Sequence, residues 1–432
     1  MPDIPHTTKL RPEDADPHWR WQRALSAPGH SGVDFETRVD FRRLQRYRLE
    51  RARAALRNSS CGALLLFDVN NIRYISGTTI GEWGRDKFCR FALLTGDNEP
   101  IVWDFGSAAV HHRLYCDWLD PSNCRAGVLG MRGTIPPSFG LMKAHSEEIM
   151  ALLRDAGVAG EPVGVDMTET AMHFALTEAG IKVADGQQIM LDAREIKNVD
   201  EITLLNQAAA MVDGVYHMIW EELKPGVRES DIVARANGML YSMGSDDVEA
   251  INAISGERCN PHPHNFTDRL VRPGDQAFFD VLHSFNGYRT CYYRTFAIGR
   301  ATASQRDAYK QCREWLDNAI GLIRPGESTA RVASVWPAAT AFGFPDERSA
   351  FGLQFGHGLG LSLHERPIIS RLVSLDHPME IKTGMVFALE TYCPASDGYS
   401  AARIEEEVVV TDIGCRVITH FPAEDLPIAN AY

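Results

Sequence analysis

Residues Phe355–Pro367 read FGHGLGLSLHERP, a histidine, His357, set between glycines, with a second histidine, His364, beside Glu365 further along. Glycine on both sides of a strand-borne imidazole lets other backbone and side chains approach it closely. Downstream, GMVFALE (Gly384–Glu390) is a turn glycine followed by an apolar run that ends on an acid. ARIEEEVVVT (Ala402–Thr411) comes next, and strand alternation puts Glu405 and Glu407 on one face and Glu406 on the other. Upstream, QAFFD (Gln276–Asp280) repeats the apolar-run-then-acid pattern after the turn RPGD. An acid at the end of an apolar strand is costly to bury unless it has a partner. One such residue reads as a strand end facing water. Two of them, with an Arg-x-Glu strand and a glycine-flanked histidine, predict one shared site. Carboxylate oxygens and an imidazole together suit Mn, Fe, Co or Zn.

Around this core, LDAREIKNVDEITLLNQAAAMVDGVYHMIWEEL changes the texture of the chain to a long amphipathic helix, with Asp200 as its expected N-cap. Two phrases, LKPGVRESDIVARA from Leu223 and IRPGESTARVASVW from Ile323, resemble each other. They suggest two similar halves, although Pro-Gly is also a common turn. Before the boundary near Ile196, strand signals at Cys61–Asp68, Arg90–Leu94, Pro100–Asp104 and Gly160–Met167 alternate with helical ones at Phe35–Leu56 and Ser146–Ala156. The division is therefore an extension (1–36), an α/β domain (37–195) and a second α/β (α+β) domain (196–432).

Composition narrows the class. At 432 residues the chain is too long for one ordinary core, and a net charge of −13 opposes a nucleic-acid or anionic-membrane surface. The N-terminal stretch lacks an apolar leader core, and no segment reads as a membrane span. Nine scattered cysteines without a CxxC pair suit reduced thiols in a cytoplasmic protein.

GHGLGLSLHERP resembles the GHGxGxxxHExP signature of the pita-bread superfamily, which includes creatinases, prolidases, aminopeptidases P and methionine aminopeptidases. GMVFALE, ARIEEEVVVT and FFDVLHSFNGYRTCYYRTF resemble that superfamily's other motifs, in order. The resemblance implies a creatinase-like N-terminal domain and a C-terminal pita-bread domain. It further implies metal ligands at Asp280, His357, Glu390 and Glu405, with Glu407 as the alternative to Glu405. His364, His264 and Glu390 are then the catalytic candidates. His262 is the near competitor of His264, and Tyr292, Arg294 and Tyr392 are candidate substrate contacts that also read as packing residues. Where the family has a second, bridging Asp, this chain has Cys291. The thiol is either a ligand, a reactive group or a small core residue. One divalent ion (Zn, Fe or Mn), an adapted pair and a metal-free site all stay open.

ALLLFDVNNIRYISG, Gly81–Trp83, IVWDFGSA and SGERCNPHPH are similar to the dimethylsulfoniopropionate lyases of this fold. The expectation drawn from them is a non-peptidase that cleaves a small polar or zwitterionic molecule by C–N hydrolysis or by C–S or C–O elimination. The alternatives are a metal-dependent Xaa-Pro dipeptidase or aminopeptidase, and an inactive binding protein. The resemblance also implies a homodimer with Trp83 or Asp86 bordering the partner's pocket.

Overall fold

The computed structural model describes residues 39–80 and 90–432. The proposed extension 1–36, the Gly81–Trp83 phrase, Trp83 and Asp86 lie outside the described residues. The chain divides into two compact units between Arg194 and Glu195.

In the first unit, six strands form a mixed sheet: β1 (Ala63–Leu66), β2 (Phe91–Thr95), β3 (Ile101–Asp104), β4 (Cys124–Ala126), β5 (Val163–Val165) and β6 (Val183–Asp185), in the order β4-β3-β2-β1-β5-β6. β1 is central, buried along its whole length, and pairs antiparallel with β2 and parallel with β5. Continuous apolar runs suit strands covered on both faces. The helix Phe41–Arg57 opens at Asp40, whose carboxylate caps the amides of Arg42 and Arg43 at 3.0 and 2.9 Å. It buries Leu44, Arg48, Ala52 and Leu56, one residue per turn.

The second unit has two antiparallel-rich sheets. One runs β15-β9-β8-β7, from β7 (Asp247–Ser255), β8 (Gln276–Phe285), β9 (Tyr288–Ile298) and β15 (Ile428–Ala429). The other runs β11-β10-β12-β13-β14, from β10 (Phe355–Gly358), β11 (Glu365–Ile369), β12 (Val386–Pro394), β13 (Ala401–Val410) and β14 (Cys415–Val417). The sheets meet along β9 and β13, where Thr295 Oγ donates to the Arg403 carbonyl at 2.6 Å and accepts the Arg403 amide at 2.9 Å. The long helix Val199–Glu222 begins one residue after Asn198, not at Asp200. Asn198 and Glu201 form a reciprocal capping box, because Asn198 Oδ1 reaches the amides of Asp200 and Glu201 at 3.0 Å each.

The two similar phrases occupy equivalent places. The Gly226 amide donates to the Val271 carbonyl at 2.9 Å, and the Gly326 amide to the Ile381 carbonyl at 2.8 Å. Each turn is followed by a helix, Glu229–Ser242 or Thr329–Ser334. Each also lies against the stretch that enters the first strand of a hairpin, β8 or β12.

Glycines make room for β10. A Cβ on Gly358 would collide with the Arg366 backbone, and one on Gly360 would lie 2.5–2.7 Å from the Glu365 carboxylate. That carboxylate is structural: Lys197 Nζ donates to it at 2.9 Å, with both side chains about fully buried, and the Ser362 amide donates at 3.0 Å. The pair ties the segment before the long helix to the start of β11. Lys197→Met leaves a buried charge without its cation and should lower unfolding free energy by about 3–5 kcal/mol. Urea denaturation checks this, and a loss within error of zero refutes a structural role for the pair.

Candidate active site

Five strands bring the predicted acids, thiol and imidazole to the seam between the sheets. β8 carries Asp280, β9 Cys291, β10 His357, β12 Glu390 and β13 Glu405. Register explains the convergence. Glu390 faces Glu405 directly across β12 and β13, and Glu390 pairs with Phe355 on β10, two residues from His357. Like charges opposite one another on a sheet repel. Here both are buried, so the repulsion is relieved by a counter-ion, as Arg403 supplies for Glu390, or by a retained proton.

Cys291 Sγ, a ring nitrogen of His357 and a carboxylate oxygen of Glu405 all lie within 4.8 Å of one another, and all three residues are buried. Sγ is 3.5 Å from Asp280 Oδ1 and 3.9 Å from Glu405 Oε2. His357 Nε2 is 3.8 Å from Glu405 Oε1, an atom with no hydrogen-bond partner among the described residues. His357 Nδ1 faces the Gly358 carbonyl at 3.2 Å, which leaves Nε2 turned to the acids. Asp280 Oδ2 accepts from Asn252 Nδ2 at 3.1 Å, and Glu390 is ion-paired with Arg403. Glu407 shares the face of Glu405 but is engaged elsewhere, accepting from Thr290 Oγ at 2.6 Å and the Cys291 amide at 2.7 Å. A buried oxygen without a donor, beside an imidazole nitrogen and a thiol, fits a divalent ion.

Burial dominates the electrostatics. It pushes the Glu405 carboxyl up, with the Glu390 and Asp280 charges adding to the effect. It raises Asp280 to about 7, again with Glu390 next in weight, and Glu407 to about 8. The Cys291 thiol is likewise pushed up by burial and then by Asp280. His357 and His364 are held neutral, each lowered to about 4 by burial.

His364 stands at the mouth, exposed, with its ring 4.5 Å from that of His357. His264 is also exposed. Its pKa is lowered by desolvation and then by Arg403, against an opposing pull from Glu390. His262 sits deeper, its ring 4.6 Å from His264, 5.4 Å from Phe278 and 5.4 Å from Tyr392. Both histidines of the NPHPH phrase therefore border the same region.

Two expected substrate contacts, Tyr292 and Arg294, are corrected, and Tyr392 is engaged with the histidine loop. Tyr292 and Arg294 lie on the face of β9 opposite to Cys291. The Tyr292 hydroxyl donates to Asp213 at 2.6 Å, and Arg294 pairs with Glu406 at 2.8 Å and bonds the Phe421 carbonyl at 3.0 Å. Tyr392 turns its hydroxyl to Asn260 Oδ1 at 2.9 Å and the Cys259 carbonyl at 3.2 Å, so it fastens the histidine loop. Tyr293 is the tyrosine on the site face, with the Arg403 guanidinium 4.6 Å over its ring, and alternation from Cys291 would have found it. Glu229 carried no motif signal. Its buried carboxylate accepts from Ser255 Oγ at 2.7 Å, from the Thr267 amide and hydroxyl at 2.9 and 2.8 Å, and pairs with Arg258, clamping both ends of the loop that bears His262 and His264.

Residues 203–412 match metallopeptidase family M24, and residues 48–196 match the creatinase/prolidase N-terminal domain. The C-terminal unit thus carries a metallopeptidase M24 domain. At the level of class this makes the protein a hydrolase or lyase of the pita-bread type, in a family whose enzymes typically depend on a divalent metal. The chain is 29% identical over 382 residues to the peptidase YqhT of Bacillus subtilis, covering 87% of this chain and 99% of that one. It is 27% identical over 280 residues to the Xaa-Pro dipeptidase of Pyrococcus furiosus (63% of this chain, 76% of that one). The dimethylsulfoniopropionate lyase DddP of Roseovarius nubinhibens is 23% identical over 401 residues (89% and 87%). The solved Xaa-Pro dipeptidase of Bacillus anthracis shares the fold, with a TM-score of 0.70 at 20% identity over 89% of this chain and 99% of that one.

These relatives overturn the expected non-peptidase activity. That reading rested on four lyase-like phrases and on Cys291, whereas the peptidase relatives are 29% and 27% identical to the chain against 23% for the lyase. No helix among the described residues is long and apolar enough to cross a membrane.

Two outcomes follow from this geometry. Because the folded pKa of Asp280 and Glu407 is raised above the ordinary values of 3.8 and 4.5, their contribution to stability is full below those values and is lost as pH rises through about 7 and 8. The melting temperature of chelator-treated protein should therefore fall between about pH 5 and about pH 8 from these groups. A flat or rising profile in scanning calorimetry would contradict the buried-acid account. Glu229→Ala leaves several donors without an acceptor, each worth about 1–3 kcal/mol when buried. Faster amide exchange confined to residues 255–267 is expected, and unchanged exchange there would remove Glu229 as the clamp.

Proposed function

We propose that this chain is a metal-dependent Xaa-Pro dipeptidase, acting on small peptides as a cytoplasmic homodimer. The carrying observation is the buried meeting of Cys291, His357 and Glu405 within 4.8 Å, with Glu390 and Asp280 alongside and two histidines at its mouth. The names of the sequence relatives supply the peptide class. Eight described cysteines are free, which suits a reducing compartment.

Cys291, His357, Glu405 and an oxygen of Asp280 or Glu390 would hold the ion. When bound, it supplies Lewis acidity toward a peptide carbonyl and lowers the pKa of water. Glu390, fixed by Arg403, is the general base that takes a proton from the attacking water. The scissile nitrogen of an Xaa-Pro bond carries no hydrogen, so it must receive a proton as it leaves. Glu390 returns the proton it took. His364 and His264, their pKa values lowered by desolvation, each offer an N–H to substrate oxygens. Tyr392 and Glu229 keep the His264 loop in place.

Purified protein stripped of metal and reloaded with Zn, Co, Fe or Mn should hydrolyse Ala-Pro or Met-Pro only when loaded. Glu390→Gln should reduce kcat by about 10²–10⁴-fold. A loaded protein that cleaves no Xaa-Pro dipeptide overturns the proposal. Sedimentation at 48.1 kDa alone would remove the dimer.

A further inference from the structure

Buried cysteines in this unit divide into two kinds. Cys259 and Cys312 direct their thiols to backbone carbonyls, those of Gln276 at 3.3 Å and Thr391 at 3.2 Å. Cys291 instead directs Sγ only at acids, Asp280 and Glu405, and its backbone is pinned by Glu407 at 2.7 Å. A small residue that merely filled space would be better served by apolar neighbours. The oxygens around it are unequally available. Asp280 Oδ2 is taken by Asn252, Glu390 by Arg403, and Glu407 Oε1 by Thr290 and the Cys291 amide. Glu405 Oε1 and Glu407 Oε2, both buried, have no hydrogen-bond partner among the described residues, and Glu405 Oε1 lies 3.8 Å from His357 Nε2.

We propose that Cys291 is a thiolate ligand and that the site holds one sulfur-bound divalent ion, shared with His357 and Glu405, instead of a pair. This rests on the metal-dependent reading above and specifies its ion. On binding, the thiol loses its proton to solvent, one sulfur–metal bond forms, and nothing is oxidised or reduced. A thiolate presents a single donor atom where a carboxylate presents two, so a second ion could be held only through that same sulfur, without the two-oxygen bridge that an acid provides. A thiolate–imidazole–carboxylate set favours Zn(II), Co(II) or Fe(II) over Mn(II) and Mg(II).

Anaerobic titration of the metal-free full-length protein with Co(II) tests this without an activity assay. The expected result is saturation at one equivalent with an intense near-ultraviolet sulfur-to-cobalt charge-transfer band. The band should vanish in Cys291→Ser and in Cys291→Asp. Cys291→Asp should also bind a second ion and lose at least about tenfold of the preference for Zn(II) over Mn(II). Bound Co(II) with no band in the native protein, or a band that survives in Cys291→Ser, overturns the proposal. If the variants do not fold, X-ray absorption of the native Zn(II) protein decides. A sulfur scatterer at about 2.3 Å supports the ligand, and a shell of oxygen and nitrogen alone overturns it. A protein that shows the band but cleaves no Xaa-Pro dipeptide refutes the peptidase and keeps the thiolate. One that cleaves without the band does the reverse.

Discussion

An excess of buried negative charge governs the second unit. Asp280, Glu390, Glu405 and Glu407 gather with a thiol along one seam, and Arg403 is the cation that meets Glu390 there. Water cannot reach most of these groups to share the load, so desolvation and nearby negative charge push the protons of Asp280, Glu405 and Glu407 back on. Everything nearby can be read as a response. Asn252 and Thr290 donate to the acids, Tyr293 stacks beneath the guanidinium, and Glu405 still keeps one oxygen unanswered. A fold that concentrates charge in this way gives up stability at the place where its perturbed groups meet.

The seam also shows how the two faces of a strand are put to different use. On β13, Arg403, Glu405 and Glu407 serve the site, while Ile404 and Val408 join the apolar core behind it. Glu406, on that rear face, is neutralised by Arg294, Arg313 and Thr419. The rear carboxylate is thus held by two arginines as part of the scaffold, and the front ones are left short of partners. One strand carries a structural acid and a chemical acid on adjacent residues.

Much of this was legible in the sequence, because the strands announce themselves as apolar runs and their terminal acids are expensive to explain otherwise. The glycines around His357 are also self-explaining, since close strand packing admits nothing larger. Other features were not legible for identifiable reasons. Which of Tyr292 and Tyr293 faces the site follows from alternation only once Cys291 is known to face it, and that is fixed by the partner strands. Asn198 and Asp200 are both competent caps, and only the hydrogen bonds separate them. Glu229 lies far along the chain from the loop it clamps, and such a contact has no local signature. The reaction class was not legible because phrases shared with the lyases of this fold, and a cysteine at the place of an acid, lie in a scaffold that peptidases share.

The internal duplication sets a tolerance on chain length. Asp280 and Glu390 arrive at the pocket after the same count of residues beyond the turn glycines Gly274 and Gly384. Pleating reverses the direction of side chains at every step, so a single inserted residue in either stretch would aim the acid at the hydrophobic layer. Insertions between glycine and acid are therefore forbidden by parity, whereas the loops on the far ends of the same hairpins are free to lengthen.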